Sequence, residues 1–198
     1  NSRNVRIINT KISGSTWGIR ALNHITGLHI DNTEISDCKD DGIFIRDSRD
    51  IEISHCYIHR VNRNWIDSST PGSVAGGDGI QLELCNNWHV HHNIIDRSDT
   101  GNKFCFISNN PSQDKGLFEF NVLKGPKPPG FSIYIGDGNG IEVRYNYISG
   151  PSQSPLWSHA SGLKIYYNIF NGISGPLFVS GSAEVYNNLF YKTAMGIE

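Results

Sequence analysis

Hydrophobic and polar positions alternate along this chain in short runs that keep returning. The clearest is Gly77-Asp78-Gly79-Ile80-Gln81-Leu82-Glu83-Leu84-Cys85, an alternating stretch opened by a Gly-Asp-Gly turn. Related runs begin at Ile19, Ile43, Phe104, Phe131, Leu156 and Leu177. Each run is accompanied by a second unit of the form apolar-x-apolar-x-x-Asn-x-apolar. It spans Val5–Ile12, Leu28–Ile35, Ile51–Ile58, Trp88–Ile95, Phe118–Leu123, Ile141–Ile148, Leu163–Phe170 and Ala183–Phe190, the last copy being incomplete. Alternation with period two is the signature of a strand with one face turned inward. The connections are too short for crossover helices, and a repeat of roughly 20–28 residues marks a solenoid.

Three short strands per repeat, stacked rung on rung, predict an all-β fold: a single-stranded right-handed parallel β-helix of about eight rungs. Thr10, Thr33, Cys56, Asn93, Asn121, Asn146, Asn168 and Asn188 share one position in the tight turn. Asn tolerates left-handed backbone angles there, and stacked amides can bond from rung to rung as an asparagine ladder. The chain begins inside one repeat strand and stops at the start of another, with no amphipathic capping helix at either end. Residues 1–198 are therefore expected to be one β-helix unit belonging to a longer β-helix, or one whose uncapped ends make end-to-end protein contacts.

On these repeats and the stacked asparagines, the chain resembles the pectate lyase-like superfamily of right-handed parallel β-helices along essentially its whole length. That resemblance implies a secreted or cell-surface protein and a sugar polymer as partner. It spans lyases, hydrolases, epimerases, tailspikes and adhesins, so it transfers no catalytic residue. The Asp-Pro-His motif of alginate-type epimerases is absent. Of the polygalacturonase-like motifs only Asp40-Asp41 has a counterpart.

Composition narrows the partners. Charged residues make up 18% of the chain and the net charge is -2, which leaves no electrostatic footprint for nucleic acid. No apolar run is long enough for membrane insertion. Cys38, Cys56, Cys85 and Cys105 lack metal-type spacing and are expected to form no disulfide, three of them largely buried.

Candidate chemistry sits on the strand after the most variable turn, which is longest between His59 and Gly77 and contains Trp65. Taking Ile19, Ile43, Ile80, Phe104, Phe131, Leu156 and Leu177 as inward predicts two outward columns. One holds Arg20, Phe44, Gln81, Cys105, Ser132, Trp157 and Phe178. The other holds Leu22, Arg46, Glu83, Ile107, Tyr134, His159 and Ser180. Phe44, Gln81, Glu83, Trp157, Phe178 and Trp65 suit a sugar chain, whose C–H faces stack on rings while its hydroxyls take hydrogen bonds. Arg46 suits a uronate carboxylate, or a structural pair with Glu83. His159, Tyr134 or Lys103 could move the proton in β-elimination.

Asp41 and Asp78 fall one rung apart, with Asn102 next in that column, and three readings stay open: a calcium site, a catalytic acid pair, or turn-forming carboxylates bonded to backbone. His89 and His91 face outward on another sheet with His92 in the turn, and read as polar surface rather than metal ligands. The leading functional reading is a polysaccharide lyase-like enzyme acting on an acidic polysaccharide, with hydrolase or epimerase chemistry also open. The alternative is a non-catalytic module of an adhesin, tail fibre or filament.

Overall fold

The computed structural model describes residues 2–61, 77–99, 103–109 and 115–193. The chain winds through strands β1 (Arg3–Ile8), β2 (Lys11–Ser13), β3 (Ile19–Leu22), β4 (Thr26–Asp31), β5 (Glu34–Ser36), β6 (Ile43–Arg46), β7 (Arg49–Ser54), β8 (Tyr57–His59) and β9 (Ile80–Glu83). It continues through β10 (Asn86–His91), β11 (Ile94–Asp96), β12 (Phe104–Asn109), β13 (Gly116–Glu119), β14 (Val122–Lys124), β15 (Phe131–Ile135), β16 (Glu142–Arg144) and β17 (Tyr147–Ser149). The final turns are β18 (Ser154–Ser158), β19 (Leu163–Tyr166), β20 (Ile169–Asn171), β21 (Phe178–Val179), β22 (Ala183–Tyr186) and β23 (Leu189–Tyr191).

Every third strand pairs in parallel, giving three sheets. Sheet A runs β1-β4-β7-β10-β13-β16-β19-β22, sheet B runs β2-β5-β8-β11-β14-β17-β20-β23, and sheet C runs β3-β6-β9-β12-β15-β18-β21. This is a parallel β-helix, all-β among the described residues.

Alternation fills the interior. Ile30, Ile53, Val90, Phe118, Val143 and Ile165 come from sheet A, Ile35, Ile58, Ile95, Leu123, Ile148 and Phe170 from sheet B, and Ile43, Ile80, Phe106, Ile133 and Leu156 from sheet C; all are fully buried. Burying each such side chain stabilises the fold by about 1.5–3 kcal/mol. The glycine that opens the sheet C strand is a steric requirement. A Cβ on Gly42 would lie 2.6 Å from the Gly79 carbonyl oxygen and 2.6 Å from Ile58 Cγ2.

Between sheets A and B the buried amides of Asn93, Asn121, Asn146 and Asn168 and the half-buried amide of Asn188 form a column. The Nδ2 of each donates to the Oδ1 of the next at 3.0–3.1 Å. That Oδ1 also accepts the backbone N–H of the residue below at 2.9–3.0 Å. The left-handed conformation falls on the residue before each Asn, not on the Asn itself: His92, Phe120, Tyr145, Tyr167 and Asn187 all have φ +54°. Left-handed backbone costs an ordinary residue about 1–2 kcal/mol. The amide bonds of the following Asn offset that cost.

The register of sheet C departs from expectation at two strands. Phe106, not Phe104, pairs with Ile80, and Ile133, not Phe131, pairs with Leu156. Phe104 and Phe131 lie on the outer face, while Cys105 and Ser132 are buried. Simple alternation breaks at the corner. The Cys105 thiol turns in toward the Lys124 carbonyl at 3.5 Å, and the Ser132 hydroxyl meets Ser152 Oγ at 2.9 Å. All four cysteines are thus buried, and none forms a disulfide.

Candidate functional site

The corrected register gives sheet C an outer column of Arg20, Phe44, Gln81, Ile107, Tyr134, Trp157 and Phe178. Toward β21 the column is aromatic. Phe104 stacks on Phe131 at 5.7 Å between centroids, and Phe131 packs on Trp157 at 5.0 Å. Tyr134 and Phe178 meet Trp157 edge-on at 5.8 Å each. Phe131, Gln153, Ser154, Trp157, Pro176 and Phe178 line a shallow groove of about 380 Å³. Trp157 Nε1 is buried there with no hydrogen-bond acceptor among the described residues.

Toward β6 the face is polar. Arg46 Nε lies 3.6 Å from Glu83 Oε2, and Gln81 Nε2 donates to Glu83 Oε1 at 2.6 Å. The Arg46 side chain is 55% exposed, so the pair is worth little to stability and the guanidinium stays accessible.

Asp41 and Asp78 stand at the corner entering the sheet, both buried. Asp41 Oδ1 accepts the Asp78 backbone N–H at 2.6 Å, and Asp78 Oδ1 accepts the Phe104 N–H at 2.9 Å. Phe104 receives the next bond of this column, and Asn102 lies outside the described residues. Burial, reinforced by Asp78, pushes the Asp41 carboxyl up to about 8, and burial pushes Asp78 up to about 6. The fully buried Arg97 supports this corner, donating to the carbonyls of Val61 and Gly77 at 2.7 Å each. Burial pushes the Asp40 carboxyl up, and the positive charges of Lys103 and Arg20 oppose that rise. Among the described residues, no group of three or more His, Cys, Asp or Glu side chains could hold a metal ion. One oxygen of each carboxylate, Oδ1, is thus committed to a backbone bond, as expected of turn-forming aspartates.

The remaining candidates separate along the rod. Tyr134 pairs with Trp157 and not with His159, whose ring is 6.2 Å away edge-on. His159 Nδ1 bonds Ser180 Oγ. Arg46 on β6 and His159, just after β18, are four rungs apart, roughly 19 Å at the usual strand spacing, and Arg46 and Tyr134 are three rungs apart. A uronate presents its carboxylate and its acidic hydrogen on adjacent carbons, so these residues do not converge on one sugar ring. Trp65 lies outside the described residues. Phe104, Phe131, Gln153 and Pro176 were not expected in the site. The aromatic character of Phe104 and Phe131 was visible in the sequence, but their outward orientation was not.

A profile described as "Right handed beta helix region" matches residues 1–112, more than half the chain. The chain belongs to this right-handed β-helix family. Among solved structures, this β-helix is similar to the Streptococcus pneumoniae surface protein and adhesin PfbA. The TM-score is 0.65 and the identity 12%, over 98% of this chain and 66% of that one. It is also similar to the Agl-KA catalytic domain, with TM-score 0.53 and identity 11% over 98% of this chain and 46% of that one. The β-helix thus spans just under two thirds of PfbA and less than half of the Agl-KA domain. No curated protein sequence matches it.

Proposed function

We propose that this β-helix binds a polysaccharide lengthwise along the outer face of sheet C, as an extracellular carbohydrate-recognition surface. The observation that carries the reading is the row of rings from Phe104 to Phe178, with a shallow groove beside Trp157. Packed aromatic surface left open to solvent suits the C–H faces of sugar rings, and Gln153 and Ser154 in the groove wall supply hydrogen-bonding groups. Gln81, Glu83 and Arg46 extend the same track with polar contacts, and the accessible Arg46 guanidinium favours an acidic polymer. An adhesin and a catalytic domain among structures of similar fold are compatible with such a surface, and the adhesin's surface location supports an extracellular setting.

The proton-transfer roles considered for Tyr134 and His159 are not part of this reading, because these groups do not meet Arg46 at one sugar, and nothing in the geometry assigns such a role to Lys103. Calorimetric titration with pectate, alginate, glycosaminoglycans and a neutral glucan tests the proposal, alongside ultraviolet detection of unsaturated uronate. Saturable binding to at least one polymer, weakened in Phe131→Ala, is the expected result. No binding to any of them would overturn it, and unsaturated product would restore the lyase assignment.

A further inference from the structure

We propose that His91 and His92 form a two-nitrogen site for a borderline divalent transition ion, Zn²⁺, Ni²⁺ or Cu²⁺, around the corner from the sugar-binding face. β10 delivers His91 to the outer face of sheet A. The left-handed turn at His92 (φ +54°) then folds the next ring back beside it. Their Nδ1 atoms end up 2.9 Å apart.

Three neighbours decide what that contact means. His91 Nε2 lies 3.2 Å from Glu52 Oε1, a carboxylate that accepts a hydrogen bond from Nε2–H and leaves Nδ1 of the neutral ring with its lone pair. A carboxylate behind a metal-binding imidazole orients the ring and raises its basicity. His55 stacks on the other side of His92 at 5.3 Å, and its Nδ1 is engaged by Asp31 at 2.8 Å.

Two imidazole lone pairs at this separation repel unless a proton or a cation lies between them. With metal–nitrogen bonds of about 2.0–2.1 Å, two ligands at right angles on one ion stand about 2.9 Å apart. The pair already has that bite. The nearby carboxylates are committed elsewhere: Glu119 to His89 and Arg144, and Asp31 to Ser54 and His55. The protein therefore fills two coordination positions, and the others are open to water or to a donor on another molecule. Imidazole nitrogen selects Zn²⁺, Ni²⁺ and Cu²⁺, with Cu²⁺ tightest, over Ca²⁺ and Mg²⁺, which demand oxygen.

The test is titration of the untagged chain with Cu²⁺, Ni²⁺, Zn²⁺ and Ca²⁺ by calorimetry, with nitrogen NMR of the histidine rings. One equivalent of Cu²⁺ should bind, with shifts at Nδ1 of His91 and His92. His92→Asn, which tolerates the left-handed turn, should weaken binding at least tenfold, as should His91→Gln. Glu52→Gln should weaken it about tenfold with the stoichiometry unchanged. His24→Ala, on a distant loop, should leave it intact. Absence of binding at millimolar ion, undiminished binding in His92→Asn, or equal affinity for Ca²⁺ would overturn the proposal and leave only an Nδ1–H···N hydrogen bond between the two rings.

Discussion

Sheets A and C are built on the same inner alternation, yet their outer faces solve opposite problems. On sheet A the charges answer one another. Glu119 is held by Arg144 at 2.7 Å and His89 at 2.9 Å, while Arg144 also meets Tyr166 Oη at 2.8 Å and Glu142 at 3.2 Å. Tyr166 in turn donates to Glu142 at 2.6 Å. That face is largely self-satisfied. On sheet C the outer column ends in rings that pack on one another and are still partly open, with one indole N–H lacking an acceptor among the described residues. The inner frame is indifferent to which face it carries, so a binding surface can be placed on one sheet without disturbing another.

Damage to the shared frame should erase the comparison altogether. Asn146→Ala removes bonds to the Phe118 and Arg144 carbonyls and to Asn168, and strands the Asn121 N–H. Orphaned buried groups of this kind predict about 2–4 kcal/mol of lost stability, read by denaturant unfolding, with both faces affected together.

A second expected effect, several degrees in melting temperature, separates the corner of sheet C from sheet A by pH. The Asp41 and Asp78 carboxyls sit above their ordinary value of 3.8, so the folded state binds protons that the unfolded chain releases. Stability from these groups is full below about pH 4 and falls as pH rises toward about 8. Asp31 and Glu119 are lowered by their partners, and their contribution is lost only as pH falls through their own folded values. The melting temperature should therefore decline between these limits, and Asp41→Asn should flatten that decline. A profile unchanged by the substitution would show that these carboxyls do not carry it.

The smallest effect is expected on sheet A. Arg144→Met breaks a partly exposed network and should cost about 1 kcal/mol, measured by the same unfolding experiment, without touching carbohydrate affinity.

How much of this was legible in the sequence follows from what period two encodes. Ile43, Ile80, Val90 and Ile148 announce inward positions because each sits in an unbroken alternation, and the stacked order of three sheets follows from the repeat length. Glu119 beside Arg144 and Arg46 beside Glu83 were also readable, since a parallel ladder places equivalent repeat positions side by side. The corner before β12 and β15 was not. Two consecutive residues, Cys105 and Phe106, turn inward there, and no alternation rule signals a break set by contacts with Lys124 and Ser152 on other turns. The same limit hid the closeness of His91 and His92, which depends on the backbone angle of a single turn residue.

The central claim is that recognition belongs to the rings of sheet C. The most direct measurement is the affinity of the wild type, Trp157→Ala and Arg144→Met for the same polysaccharide, each variant first shown to be folded. Trp157→Ala should bind at least tenfold more weakly, about 1.4 kcal/mol or more, and Arg144→Met should bind as the wild type does. Equal affinities in all three, or a loss confined to Arg144→Met, would contradict it.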